Sequence, residues 1–344
     1  MFLKKYPGYF VMLAVLTFAA CQNSTSKNED PASDLTKFPA YNALNDSIQK
    51  NPGDAELYLR RAMRLTKQNL HELAFNDFQK AWSLQPSLDV AIPFAANLEI
   101  LGKHRERISL LESVSQHYAD NPRILRLLAD AYISGGNPDK ALQIYNNIIL
   151  KDSLNPDVQY EKALLLEQLK DTTGAIKALK TAYAVQGVDT YGLELAHLYA
   201  EQKNPAALDI CNAILSRDTL RILLDPFFIK GIYYANMKLY QKAIAAFDSC
   251  ILRDWKTTDA YLEKGRAYFN LGNFNAAMQT FNMAITVTNT DADAYFWLAR
   301  SYEALHRNED AVNNYLKAIS LDKDFVEARQ RLEKLDTGFA RHSH

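Results

Sequence analysis

Glycine is scarce in this chain, 12 in 344 residues, and only 3 cysteines and 11 prolines accompany it. Glycine this sparse, amid many helix-forming residues, favours an all-α fold. A basic excess is missing as well: 39 Lys and Arg stand against 40 Asp and Glu, which argues against phosphate-driven nucleic-acid binding. No Gly-rich phosphate loop, His-Glu-x-x-His, Gly-x-Ser-x-Gly or Cys-x-x-Cys signature is present, so no enzyme, cofactor or metal site is expected. The apolar run at 6–20 falls short of the roughly 20 residues that a membrane-spanning helix needs. What remains, 48% hydrophobic and 23% charged residues, is the composition of a folded protein.

What the chain does have is repetition. Across residues 224–325 one pattern recurs at a step of 34 residues. Gly231, Gly265 and Ala299 keep that step, as do Tyr234, Tyr268 and Tyr302, and Ala243, Ala277 and Ala311. Phe247, Phe281 and Tyr315 form a fourth column and Cys250, Ala284 and Ala318 a fifth. Such register marks a stacked repeat. Within one copy, Tyr261, Gly265 and Tyr268 fall at i, i+4, i+7, one helix face. Gly272 and Asn273 interrupt it, and Ala277, Phe281 and Ala284 start a second such face. Two short helices with one apolar stripe each must stack on neighbours to bury both stripes.

These columns resemble the tetratricopeptide repeat, and the resemblance implies a right-handed α-solenoid of about eight helical hairpins between capping helices, at 39–336. Positions are numbered 1–34 within a repeat below, with Gly265 at position 8. Tyr41, Leu44 and Ile48 read as a lone capping helix, and the first full hairpin opens at Ala55. The second, from Leu88, fits worst: Arg107 replaces the small residue at position 20, and Pro93 is expected to kink or delay the first helix. Asn121-Pro122 and Asn155-Pro156 open the third and fourth hairpins as an N-cap followed by proline. The fifth, from about Asp189, loses one residue in its turn and has a longer exit to Leu224. A charged helix at 326–335 caps the stack, before a disordered tail at 337–344 that holds His342 and His344. Cys211 and Cys250 occupy second-helix core columns and read as buried structural thiols.

The N-terminus reads as an address. Lys4 and Lys5 precede the apolar run, and Phe18-Ala19-Ala20-Cys21 resembles a bacterial lipoprotein processing box, with Phe18 in place of the usual Leu. The resemblance implies a signal peptide at 1–20, acylation of Cys21, and a polar tether at 21–38. Gln22 after the cysteine implies the outer membrane, and Ser26-Lys27-Asn28-Glu29-Asp30 resembles a surface-export signal, with the periplasmic face as the default.

In the resembled family, positions 2, 5, 9, 12 and 13 of first helices line a concave groove that binds peptides. In this chain the stripe gives Arg126, Asp130, Tyr160, Leu164 and His197, then Phe228, Ile232, Asn236, Leu262, Arg266, Phe269, Asn270, Phe296, Arg300 and Glu303. Aromatic residues with Arg make up binding hot spots. Arg266 and Arg300 share position 9 and are suited to a partner's carboxylate, or to ion pairs with Glu263, Asp259 or Glu303; Asn236 and Asn270 share position 13 and suit a peptide backbone. The family's carboxylate clamp, Lys at 5 and Asn at 9, is missing. The expectation is a non-enzymatic, lipid-anchored adaptor for envelope proteins, in assembly, secretion or recruitment of cell-wall enzymes. The alternative is a glycan or small-ligand binder using the groove aromatics.

Overall fold

The computed structural model describes residues 39–342, which hold eighteen α-helices and no strand. Cys21, the signal peptide and the whole tether lie outside the described residues. The chain divides into two compact units, one ending at Leu169 and one beginning at Lys170. In the first, α1 (Asn42–Lys50) precedes three hairpins: α2 (Ala55–Lys67) with α3 (His71–Leu84), α4 (Leu88–Ile100) with α5 (His104–His117), and α6 (Pro122–Ser134) with α7 (Pro138–Lys151). α8 (Pro156–Gln168) closes that unit.

The second unit opens with α9 (Thr172–Val185) and has four hairpins. They are α10 (Asp189–Glu201) with α11 (Ala206–Arg217), α12 (Asp225–Asn236) with α13 (Tyr240–Arg253), α14 (Thr258–Asn270) with α15 (Phe274–Val287), and α16 (Ala292–Ala304) with α17 (Asn308–Leu321). α18 (Val326–His342) ends it, reaching beyond the 335 boundary and into the expected tail. Gly338 does not stop this helix, since a single interior glycine costs only about 1 kcal/mol.

Local chemistry sets where each helix starts and stops. Asn121 accepts from the backbone N–H of Arg123 and Asn155 from that of Val158, as N-cap asparagines should. The turn between the two helices of a repeat always places position 15 in the left-handed region. Gly102, Gly136 and Gly272 hold it at φ +66 to +77°, while Asn69, Lys170, Lys203, Lys238 and His306 hold it at +57 to +64°. At Gly272 its own N–H reaches the Phe269 carbonyl and that of Asn273 the Tyr268 carbonyl, the paired bonds of a Schellman ending.

Packing explains the columns. A Cβ on Gly231 would lie 2.4 Å from the Phe247 ring, and one on Gly265 2.4 Å from the Phe281 ring. Position 8 is small because the aromatic ring at position 24 needs that space; Phe247, Phe281 and Tyr315 are fully buried. Burying each ring contributes roughly 1.5–3 kcal/mol. Cys211 and Cys250 are free and buried, and burial pushes both thiols up to about 12.

The second hairpin corrects the sequence reading twice. α4 starts at Leu88 and stays helical through Pro93, so the proline does not delay it, and Val90, Ala91, Phe94, Ala95 and Leu98 are buried along the helix. Arg107 is no misfit: it is 4% exposed and donates to Glu99 and Asp130, both at 2.6 Å. A long cation stands where the family has a small residue because two carboxylates from neighbouring first helices reach it.

Candidate functional site

The stripe residues fall into separate cavities within each unit. In the first unit, Arg126, Asp130 and Leu164 line a cavity of about 490 Å³ with Arg123, Tyr145, Glu161 and Gln168. Arg126 and Asp130 are already paired. Arg126 Nε lies 2.9 and 3.0 Å from the two Glu161 oxygens, and its Nη1 lies 3.4 Å from Asp157. Asp130 is held by the buried Arg107. Tyr160 is half-buried on α8 and does not line this cavity.

In the second unit, a cavity of about 440 Å³ lies over α12, α14, α16 and the start of α18. Phe228, Phe296, Trp297 and Phe325 give it aromatic walls, and Asp259, Glu263, Asp291, Asp293 and Glu327 line it with carboxylates. Arg266 is the single cation among the lining residues. An adjoining cavity of about 400 Å³ contains Asn236, Asn270 and Ile232, and shares Arg266 and Glu263. Asn270 is exposed, whereas the Asn236 amide donates to the Ala200 carbonyl at 3.2 Å and ties α12 to α10. His197 is half-buried, with Nε2 3.5 Å from Glu201, which lines the second cavity.

Phe228 and Phe296 depart from the open groove face expected of them. They are 6% and 2% exposed, packed against Phe247 at 5.7 Å and Phe325 at 4.8 Å between ring centres. Position 5 is a packing position here: Phe228 meets Phe247 and Phe296 meets Tyr315 within their own hairpins, and Phe296 also meets Phe325 before α18. Their burial takes two of the three stripe phenylalanines away as stacking platforms for a glycan. Phe269 stays half-buried, edge-on to Trp297 at 5.5 Å and to Phe274 at 5.1 Å.

Both stripe arginines are engaged. Arg266 meets Glu263 at 2.8 Å and lies 5.0 Å from the Trp297 ring centre. Arg300 meets Glu327 at 3.5 Å and lies 5.2 Å from Phe269 and 5.5 Å from Trp297. Glu303 serves Tyr315 and Arg331 instead, at 2.6 and 3.2 Å. Trp297, the ring both arginines share, sits at position 6 and escapes the stripe rule.

The carboxylates are the unusual part. Burial, then repulsion from Asp291 and Glu263, raises Asp259 to about 6. Burial likewise raises Glu263 and Asp293, the first against the pull of Arg266 and the second reinforced by Asp291. Sequence reasoning missed this ladder although its signal is plain: Asp225, Asp259, Asp293 and Glu327 recur at the 34-residue step. Each sits in the first turn of its helix, where the dipole favours an anion.

This geometry defines a helical repeat protein whose two-helix units stack edge to edge. Tetratricopeptide-repeat sequence models match residues 101–165 and 292–325, and a TPR-repeat model matches 265–306. The chain carries tetratricopeptide repeats and has the all-α fold of that class. No curated protein matches it in sequence. Among solved structures it is similar to a chain of the APC/C hetero-tetramer Cut9–Hcn1, at 17% identity and a TM-score of 0.52, over 90% of this chain and 60% of that one. This chain thus spans about 60% of that subunit's length. It is also similar to PilW, a type IV pilus biogenesis factor (17% identity, TM-score 0.54, 61% of this chain and 97% of that one). A third likeness is the C-terminal part of a TPR protein from Cytophaga hutchinsonii (16% identity, TM-score 0.51, 69% and 98%). At such identities these likenesses show the fold alone.

Proposed function

We propose that the protein is a non-enzymatic interaction scaffold, held by an acylated Cys21 at the bacterial outer membrane, that binds an envelope protein through its second unit. The partner presents an extended segment with a basic side chain to the carboxylate-lined cavity. One observation carries this reading: five carboxylates line an aromatic-walled cavity with one lining arginine, and three of them, Asp259, Glu263 and Asp293, are held above the usual carboxylate range. Like charges crowded away from water cost folding energy, and groups so perturbed cluster at functional sites. An incoming Lys or Arg would neutralise Asp259 and Asp293 and stack on the half-buried rings of Trp297 and Phe325. The exposed amide of Asn270, beside the adjoining cavity, suits the backbone of the same segment. The aromatic-platform glycan reading loses support from the burial of Phe228 and Phe296.

The test is co-purification from detergent-solubilised envelopes with the intact chain and with the Asp259→Asn, Asp293→Asn double variant. A partner retained by the intact chain and released by the variant, or by salt, supports the reading. Equal recovery by both chains refutes it. Mass spectrometry of the N-terminal peptide tests acylation separately, and Cys21→Ser should release the chain from membranes.

A further inference from the structure

The first unit's cavity holds a polar group that its ion pairs do not engage. Tyr145, on α7, is 3% exposed and lines the cavity formed with α6 and α8. It stands in the position-24 column, where Phe78, Phe247 and Phe281 are buried without a hydroxyl. The other tyrosine of that column, Tyr315, donates to Glu303 at 2.6 Å. The Tyr145 hydroxyl has no hydrogen-bond partner among the described residues. Burial, then the Glu161 and Asp130 charges, makes it hold its proton more tightly, against the pull of Arg126. A buried hydroxyl without a partner is costly, and these surroundings suit an incoming cation.

Two charged groups of the same cavity have capacity left. Asp130 gives Oδ2 to Arg107 at 2.6 Å, while its side chain stays 58% exposed and its Oδ1 has no partner among the described residues. Arg123, at the start of α6, is exposed and forms no ion pair among the described residues. The remaining charges are engaged: Arg126 holds Glu161 and Asp157, and Arg107 holds Glu99 as well as Asp130. Leu127, Ile133, Leu164 and Leu165 supply an apolar wall. Arg123 and Asp130 are i and i+7 on one face of α6, about 10 Å apart at 1.5 Å per residue.

We propose that this cavity binds a short free peptide of about three residues, its ammonium end on the Tyr145 hydroxyl and Asp130 Oδ1, its carboxylate on Arg123, and its apolar side chains on the leucine-rich wall. Charge and length choose the occupant. Acceptors stand at one end and a donor at the other, so a zwitterion fills both, whereas a simple anion or cation leaves one end unmet. Three extended residues span about 10 Å, the separation of the two ends. The volume of about 490 Å³ is that of a small-ligand site. This ligand is a small molecule of the first unit, distinct from the protein partner of the second.

Calorimetric titration of the intact chain with the tripeptide Ala-Leu-Ala, checked by the shift in melting temperature, is the test. Binding is expected. Acetylating the peptide's amine, amidating its carboxylate, Tyr145→Phe and Arg123→Ala should each weaken it about tenfold or more. Tyr145→Phe should keep or raise the melting temperature of the free chain, because phenylalanine fills the same column in other repeats. Absence of binding by both measurements overturns the proposal, as does an affinity that Tyr145→Phe and Arg123→Ala leave unchanged. Free leucine bound as tightly as the tripeptide overturns it too, since the two ends would then lie closer than the helix spacing sets them. So does a melting temperature lowered by Tyr145→Phe, which would show the hydroxyl already bonded within the fold.

Discussion

The first and second units use the same repeat to handle charge in opposite ways. In the first, Arg61, Arg107 and Arg126 are each locked by carboxylates. Arg61 pairs in fork geometry with Asp77 at 2.7 and 2.6 Å and also reaches Asn45, Arg107 bridges Glu99 and Asp130, and Arg126 clamps Glu161. In the second, Arg266 and Arg300 lie across aromatic rings, and the carboxylates around them outnumber them. Balanced charge fastens one helix to the next. Surplus charge is a standing cost, and a site kept at such cost is the better candidate for binding.

The largest expected effect lies in the first unit. Asp77→Ala leaves Arg61 buried without its carboxylate and should cost about 3–5 kcal/mol in denaturant unfolding, whereas Arg266→Ala with Arg300→Ala should cost less than about 1 kcal/mol each. Similar losses in both would erase the contrast.

Next comes the fit beneath the aromatic column. Gly265→Ala drives a methyl into Phe281 and should cost about 1–3 kcal/mol, while the same change at Gly272 should cost about 1 kcal/mol through its positive φ alone. Calorimetry separates the two. A neutral Gly265→Ala would mean the ring at position 24 yields easily.

The ladder makes a prediction of opposite sign. Asp259 is raised from 3.8 to about 6, so the folded state holds its proton more tightly than the unfolded one. Its penalty is present in full above pH 6 and fades as the pH falls towards 4, so this group makes the second unit more stable at pH 5 than at pH 7. Asp259→Asn should therefore stabilise the protein at pH 7 by about 1 kcal/mol and flatten this pH dependence. Destabilisation would show that Asp259 is a structural partner.

Smallest is the turn. Lys238→Gly relieves a left-handed non-glycine residue and should be neutral to stabilising by about 0.5 kcal/mol, the gain offset by glycine's extra unfolded-state entropy. A loss above about 1 kcal/mol would contradict the turn geometry.

Much of the fold was legible because it is periodic. The 34-residue columns gave helix starts at Ala55, Pro122 and Pro156 to the residue and one at about Asp189, since a small and a large side chain meet at fixed places in the repeat, as at Gly231 with Phe247 and Gly265 with Phe281. Arg107 and Pro93 read as defects because their compensation comes from Glu99, Asp130 and a buried helix face, which no local pattern displays. The site was half legible. Arg266, Arg300, Phe269 and Asn270 do meet around one region, but Phe228 and Phe296 turned inward because the following helix offers rings to pack on. Trp297 was lost to its position, and the acidic ladder was lost because acids at helix starts are commonplace.

The sharpest trial places a photo-crosslinking residue in living cells at Asn270, beside the second unit's cavity, and at Gln168, in the first unit's. Capture of a partner at Asn270 and not at Gln168 is expected. Asp259→Asn with Asp293→Asn should abolish that capture while raising the melting temperature. Capture that is equal at both positions, or that survives the double variant, would contradict the account.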